Sequence, residues 1–302
     1  MKISCLIAAY KAGNYIGKAL ESIRGQEHVD WEVVVVEDGS RDQTEEIVRR
    51  FANSVSQPVR YDNFGVNRGV ATARNRLLEL AEGEAGAFLD ADDWWTPRHL
   101  LNASNALANE TDLVVSRIQL FDLDSGQPLE TYSPPPELFR DPGRTLFERS
   151  AIMTSSCVTL RLSTARQIGG FDHAFRIGED RDYWLRFASK GGRFADSGEE
   201  TCFYAKHAGS TMAKTQLWAQ QEVAFYEKHK EWTGISLALR RKQLARVLVN
   251  YGRLIRASDP SASLQALGKA WKLRPLSLSI ALHFGTSWIT KAPCDRRKNG
   301  LH

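Results

Sequence analysis

The chain has 302 residues, 42% hydrophobic and 25% charged, the composition of a globular protein with apolar material for a sizeable core. No uncharged apolar run reaches the ~18 residues of a membrane-spanning helix, and the chain enters a strand-like run at once rather than a cleavable leader. Cys5, Cys157, Cys202 and Cys294 show no C-x-x-C spacing, which argues against structural zinc or a disulfide framework and suits the cytoplasm.

The first third alternates strand and helix. Residues 2–9 and 32–37 are apolar runs rich in Val and Ile, and residues 85–89 form a shorter one. Continuous rather than alternating hydrophobicity predicts strands covered on both faces. Between them, residues 15–24, 43–51 and 71–80 carry apolar side chains at helical spacing. That order predicts right-handed crossovers and a parallel α/β sheet, whose ligands gather at the carboxyl ends of the strands. Further strands are expected at 112–121, 156–161 and 201–206, an irregular loop at 133–143 and a helix near 180–189. From about residue 213 the pattern is helical, broken at Gly234, Asp259–Pro260 and Pro275.

The formal charge of +4 is unevenly spread. From Glu227 onward there are 15 Lys and Arg against 4 Asp and Glu, about +11, which leaves about −7 for the rest. Such a tail either meets an anionic membrane surface or forms a solvated helical face. Nucleic acid is not an expected partner.

Three segments carry chemistry. In FLDADDWW, Asp90, Asp92 and Asp93 follow an apolar strand directly. Carboxylates that close repel one another unless a cation offsets them, and Mn²⁺ or Mg²⁺ bound by one or two carboxylates plus substrate phosphates would do so. A helix-capping acidic turn is the alternative. In VVVVEDGSRDQT, Asp38 ends a strand before a Gly–Ser turn, placed either to accept hydrogen bonds from a base or ribose or to shape the turn. In NRGVATARN, Arg68 and Arg74 offer donors to a nucleotide base or phosphates, or are surface arginines of a helix. No GxxxxGK[ST] loop and no GxGxxG after the first strand occur, so neither a P-loop NTPase nor a dinucleotide-binding fold is expected.

Taken together, ISCLIAAY, EVVVVEDGSRDQT, NRGVATARN, GEAGAFLDADDWWTP, GGFD, GEDRDYWLRFASKG and YAKHAGST resemble, in order and spacing, the family 2 glycosyltransferases of GT-A fold over about residues 2–212. The resemblance implies a Rossmann-like, mostly parallel sheet with flanking helices, followed by a C-terminal helical region. It implies a nucleotide-sugar-binding half at 1–110, an acceptor-binding half at 111–212 and a basic helical region at 213–302. By the same resemblance Ala9, Tyr10, Asp38 and Arg68 would hold the nucleotide, and Asp90 would lie near the ribose and donor sugar. Asp92 would bridge Mn²⁺ or Mg²⁺ to the diphosphate, with Asp93 and His207 as further metal contacts. Asp180 matches the catalytic base, and Trp94, Glu179 and Trp184 are candidates for the acceptor pocket.

The roles are chemically coherent. A hydroxyl attacking an anomeric carbon must lose its proton, and the departing diphosphate gains charge that a cation stabilises. One base opposite the leaving group predicts a single displacement with inversion. Two departures stand out: Ala8 replaces the proline usual two residues before Tyr10, and Glu37 precedes Asp38 where Asp is commoner. No Q-x-x-R-W element of processive synthases occurs, so addition of one sugar, from a UDP-sugar donor, to a saccharide or lipid-linked saccharide is expected. Nucleotidyl transfer and a non-catalytic nucleotide-sugar-binding module are the competing readings. The mixed basic and leucine-rich segment at 237–256 predicts an amphipathic helix, peripheral on the inner face of the cell membrane or packed as a cap.

Overall fold

A computed structural model describes residues 1–108, 110–206, 215–275 and 277. The chain divides into two compact units, Met1–Ser210 and Thr211–His302.

In the first unit, β1 (Ile3–Ala9), β2 (Trp31–Glu37), β3 (Val59–Asn63) and β4 (Ala85–Phe88) alternate with α1 (Ile16–Arg24), α2 (Thr44–Ala52) and α3 (Val70–Leu80). There follow β5 (Trp94–Trp95), α4 (His99–Leu107), β6 (Leu113–Asp122), β7 (Gln127–Tyr132), α5 (Glu137–Arg140) and α6 (Pro142–Glu148). A 3₁₀ turn at Ser155–Cys157 leads into β8 (Val158–Arg161), α7 (Leu162–Ile168), α8 (Glu179–Ser189) and β9 (Phe194–Lys206).

The sheet runs β3-β2-β1-β4-β8-β6-β9-β5, with β7 paired to β6. β1 is parallel to both β2 and β4, and β2 to β3. The second half is mixed, with β8 antiparallel to β4 and β6, and β9 parallel to β6. All seven residues of β2 are buried, as its unbroken Val run requires. The chain leaves β1 for β2 on one side and returns to β4 on the other. The crevice beyond the carboxyl ends of β1 and β4 is therefore the switch point where such sheets bind ligands.

Some segments differ from expectation. The proline-rich stretch at 133–143 is not a plain loop: Asp141 accepts a hydrogen bond from Arg144 N at 3.0 Å and Pro142 starts α6, a capped helix entry. β3, β5, β7 and α7 carry no clear apolar period and emerge only in the fold. β9 begins at Phe194, seven residues before the run that predicted it.

In the second unit, α9 (Thr215–Lys228), α10 (Leu237–Leu254) and α11 (Pro260–Leu273) follow one another. Asp259 caps α11 and Pro260 opens it, the predicted break. Leu244, Ala245, Val247, Leu248 and Gly252 form the buried stripe of α10, and Gly252 lets Leu267 of α11 approach closely. The apolar face of α10 is thus used in packing, while Arg241, Lys242, Arg246 and Arg253 remain exposed. Among the described residues no helix is long and apolar enough to cross a membrane.

Candidate active site

The carboxyl ends of β1, β2 and β4 present Tyr10, Asp38 and Asp90 to one crevice. Tyr10 is 48% exposed, a large ring left open at a strand end, and Lys11 after it takes a left-handed backbone (φ 53°). A non-glycine residue in that region is sterically costly and marks a point held by its surroundings. Ala9 is buried, and its carbonyl accepts a hydrogen bond from Asp38 N at 2.8 Å, tying the β1 and β2 ends together.

Asp38 is buried, and its two carboxylate oxygens accept hydrogen bonds from Arg68 N (2.6 Å) and Gly69 N (2.8 Å). It anchors the loop that precedes α3. Each oxygen retains a further lone pair, so a base or ribose contact stays open to it. Gly39, at φ 75°, has a structural reason to be glycine: a β-carbon there would lie 2.5 Å from Val66 Cα and N. The Arg68 side chain is exposed and lies 5.1 Å from the Phe64 ring centroid.

The three aspartates after β4 separate in role. Asp90 is half-buried; its N–H donates to Ser156 Oγ at 2.9 Å and its Oδ2 accepts from Thr154 Oγ1 at 3.2 Å. Asp92 is half-buried as well. Asp93 is 1% exposed and accepts hydrogen bonds from Ser156 Oγ (2.5 Å), Thr154 Oγ1 (3.3 Å) and Ala205 N (2.9 Å). Burial pushes its carboxyl well above the usual range, with Asp92 and Asp90 adding repulsion. The interior partners of Asp93 make it a brace between β4, β9 and the Thr154–Ser156 turn, a different setting from the expected metal contact. Thr154 and Ser156 escaped the sequence reading: a Thr–Ser–Ser run before a strand has meaning only once β8 is known to lie beside β4.

Arg74 of α3, expected as a donor to a nucleotide base or phosphates or as a surface arginine, lies in the interior. It is 5% exposed, with Nη1 2.5 Å from Glu179 Oε1 and Nη2 3.0 Å from Asp90 Oδ1. Burial alone would lower its pKa, but the charges of Asp90, Glu179 and Asp180 raise it instead. Glu179, a candidate for the acceptor pocket, is buried in this ion pair; burial pushes its carboxyl up to about 7 against the pull of Arg74.

Asp180 is half-buried in the first turn of α8, where the helix dipole favours a carboxylate. Burial raises its pKa, Arg74 opposes that, and Asp90 adds to it. The Arg181 guanidinium donates to Leu146 O (2.9 Å) and Phe147 O (3.0 Å) at the end of α6, fixing the start of α8 from the other side. Through Arg74, which meets both Asp90 and Glu179, the fold ties the first turn of α8 to the segment after β4.

Two aromatic candidates lie in the core. Trp184 is 1% exposed, packed on Phe88, Tyr183 and Phe171 with centroids 5.3–6.0 Å away, which leaves no face for an acceptor. Trp94 is 8% exposed, stacked on Phe203 and covered by Lys18, whose Nζ sits 3.0 Å from the ring centroid. His207 lies outside the described residues, directly after β9.

Among the described residues no group of three or more His, Cys, Asp or Glu forms a ready metal cage. The donor set nevertheless fits a divalent cation that completes its shell with phosphates: Asp90, Asp92 and Asp180 feel one another's charge or that of Asp93, and Arg74 offsets only part of it.

The model of Glycosyl transferase family 2 matches residues 4–169. EpsH of Bacillus subtilis is 34% identical over 134 residues, 43% of this chain and 37% of that protein; the chain thus spans little more than a third of that relative. A protein of Escherichia coli named UDP-Glc:alpha-D-GlcNAc-diphosphoundecaprenol beta-1,3-glucosyltransferase WfaP is 28% identical over 212 residues, covering 70% of this chain and 80% of WfaP. The crystal structure of S. aureus TarS 1-349 in complex with UDP-GlcNAc superposes with a TM-score of 0.69 at 19% identity, over 96% of this chain and 90% of that one. That likeness gives the fold, a GT-A sheet with flanking helices and a helical C-terminal region.

Proposed function

The chain belongs to glycosyl transferase family 2, and on that premise we propose that it moves one sugar from a UDP-sugar to an acceptor hydroxyl, inverting the anomeric centre. The observation that carries this reading is the Arg74 bridge, which ties Asp90 after β4 to Glu179, the residue before Asp180, at the crevice that Tyr10, Asp38 and Arg68 border. In this reading the open ring of Tyr10 packs on the base, the Asp38 carboxylate bonds it, and Arg68 contributes a cation at the loop edge. Asp92, with Asp90 beside it, would hold Mn²⁺ or Mg²⁺ against the donor diphosphate, where the ion would supply charge neutralisation to the leaving group.

Asp180 takes the proton of the acceptor hydroxyl as its oxygen bonds to the anomeric carbon. The bond from that carbon to the diphosphate oxygen breaks, and UDP departs with the electron pair. With one base on the face opposite the leaving group, a single displacement follows. The raised pKa of Asp180 makes it a stronger base than an ordinary aspartate. A saccharide or lipid-linked saccharide acceptor is supported by the relative WfaP, whose name specifies a diphosphoundecaprenol-linked GlcNAc. The exposed basic side of α10 supports a peripheral position on an anionic, cytoplasmic membrane face through charge alone, since its apolar stripe is packed.

The test is UDP release from UDP-Glc, UDP-GlcNAc and UDP-Gal with Mn²⁺ and a lipid-diphosphate-linked GlcNAc acceptor, followed by NMR of the product's anomeric proton. Transfer from one donor with inverted configuration supports the reading. A product that retains the donor's configuration, or failure of all three donors to bind, overturns it.

A further inference from the structure

Arg74 lies under the proposed site and joins two parts of it that are distant in sequence. One end of its guanidinium meets Asp90, 16 residues on, and the other meets Glu179, 105 residues on. Asp90 follows β4 on the donor side, and Glu179 begins α8 immediately before Asp180. Both terminal nitrogens are engaged, and the side chain is only 6% exposed, so the guanidinium is directed into the protein.

Such an arrangement is costly unless it does something. Burying a cation with one buried and one half-buried carboxylate carries a desolvation cost that their attraction roughly offsets, so net stability is a poor account of it. What a two-ended guanidinium gives is geometry, because its planar fork fixes the directions of both partners. Glu179 is itself buried, and the first turn of α8 carries Asp180 on the same rigid helix. A shift at Glu179 therefore becomes a shift of Asp180.

From this bridge we infer that Arg74 is a positioning residue: acting through Glu179 and Asp90, it sets the distance between Asp180 and the donor aspartates and does not bind the donor. The inference rests on Asp180 being the base. Lysine keeps the charge but has one compact ammonium, which cannot hold both carboxylates in the fork's directions. Displacing a reacting group by ~1 Å costs about 10²-fold in rate.

The experiment compares wild type, Arg74→Lys, Glu179→Gln and Asp180→Asn, with Mn²⁺ throughout. It measures UDP affinity by calorimetry, unfolding by urea, and kcat for UDP release across pH with whichever UDP-sugar the wild type turns over fastest. Positioning predicts that Arg74→Lys and Glu179→Gln keep UDP affinity within about threefold while kcat falls about 10- to 100-fold. The acid limb of Arg74→Lys stays near that of wild type, because the cation facing Asp180, Asp90 and Glu179 is retained. Glu179→Gln, a neutral isostere, carries the same test should Arg74→Lys fold poorly. Arg74 is instead a donor contact if UDP affinity falls in step with kcat, and merely structural if stability falls with kcat unchanged; either result overturns the inference. An active Asp180→Asn sinks the assignment of the base and a wild type that turns over no UDP-sugar sinks the proposed donor class, either taking this inference with it, whereas an inactive Asp180→Asn beside fully active Arg74→Lys and Glu179→Gln refutes the positioning role alone.

Discussion

Gly39→Ala tests how the loop before α3 is held. The added methyl meets two separate costs. Gly39 sits at φ 75°, where a β-carbon costs about 1–2 kcal/mol. That carbon would also stand 2.5 Å from Val66 Cα and N, against a relaxed contact of about 3.5 Å. Backbone cannot rotate away as a side chain can, so the loop carrying Val66, Arg68 and Gly69 must move by ~1 Å. That movement stretches the hydrogen bonds from Arg68 N and Gly69 N to the buried Asp38 carboxylate, each on the order of 1.5–3 kcal/mol. The expected loss is about 3 kcal/mol of stability, since the bonds weaken rather than vanish. UDP affinity should fall about 10- to 100-fold, as Asp38 and Arg68 both shift. Gly65→Ala is the control, because Gly65 has φ 69° but nothing within 4 Å of its β position. It should lose about 1–2 kcal/mol and leave UDP affinity unchanged. Urea unfolding and UDP calorimetry with Mn²⁺ read both. Equal losses of stability and equal UDP binding in the two variants would refute the loop argument.

Further outcomes follow from the same contacts. Asp38→Asn replaces one acceptor by an NH₂ facing a backbone N–H, so about 1–3 kcal/mol of stability should go with part of the UDP affinity; unchanged urea midpoints would contradict this. Ser156→Ala leaves Asp90 N without its acceptor and Asp93 without its shortest donor, and should cost on the order of 3 kcal/mol by the same unfolding assay. The base must be ionised and its pKa is raised, so kcat/KM should fall as pH drops through a value above the ~3.9 of a free aspartate; a limb at or below that value would count against Asp180. Replacing the exposed Arg241, Lys242, Arg246 and Arg253 by Ser should abolish sedimentation with phosphatidylglycerol vesicles at low salt, at about 1 kcal/mol per lost charge; equal sedimentation would remove the membrane reading.

The parallel half of the sheet was legible because β1, β2 and β4 are buried on both faces, so their apolar runs are unbroken. β3, with sequence VRYDN and only partial burial, has no such run, and a two-residue strand such as β5 leaves no period at all. Pro134–Pro136 drew the eye to irregular backbone and away from Asp141–Pro142, an ordinary capped helix start. The acidic cluster was legible as a cluster. Its division between a half-buried Asp92 and a buried Asp93 depends on hydroxyls more than 60 residues away. Arg74 and Trp184 show the same limit: a helical arginine and a helical tryptophan look alike in sequence whether they face substrate or core. Only packing against Glu179, or against Phe88 and Phe171, decides.

The most direct test of the account is UDP release by wild type and Asp180→Asn, each with Mn²⁺ and again with excess EDTA, UDP binding being measured in the same samples. The account predicts release by wild type with Mn²⁺ alone, and an Asp180→Asn protein that still binds UDP with Mn²⁺ but releases it from the sugar at least about 10²-fold more slowly. Undiminished turnover in Asp180→Asn, or in EDTA, would contradict it.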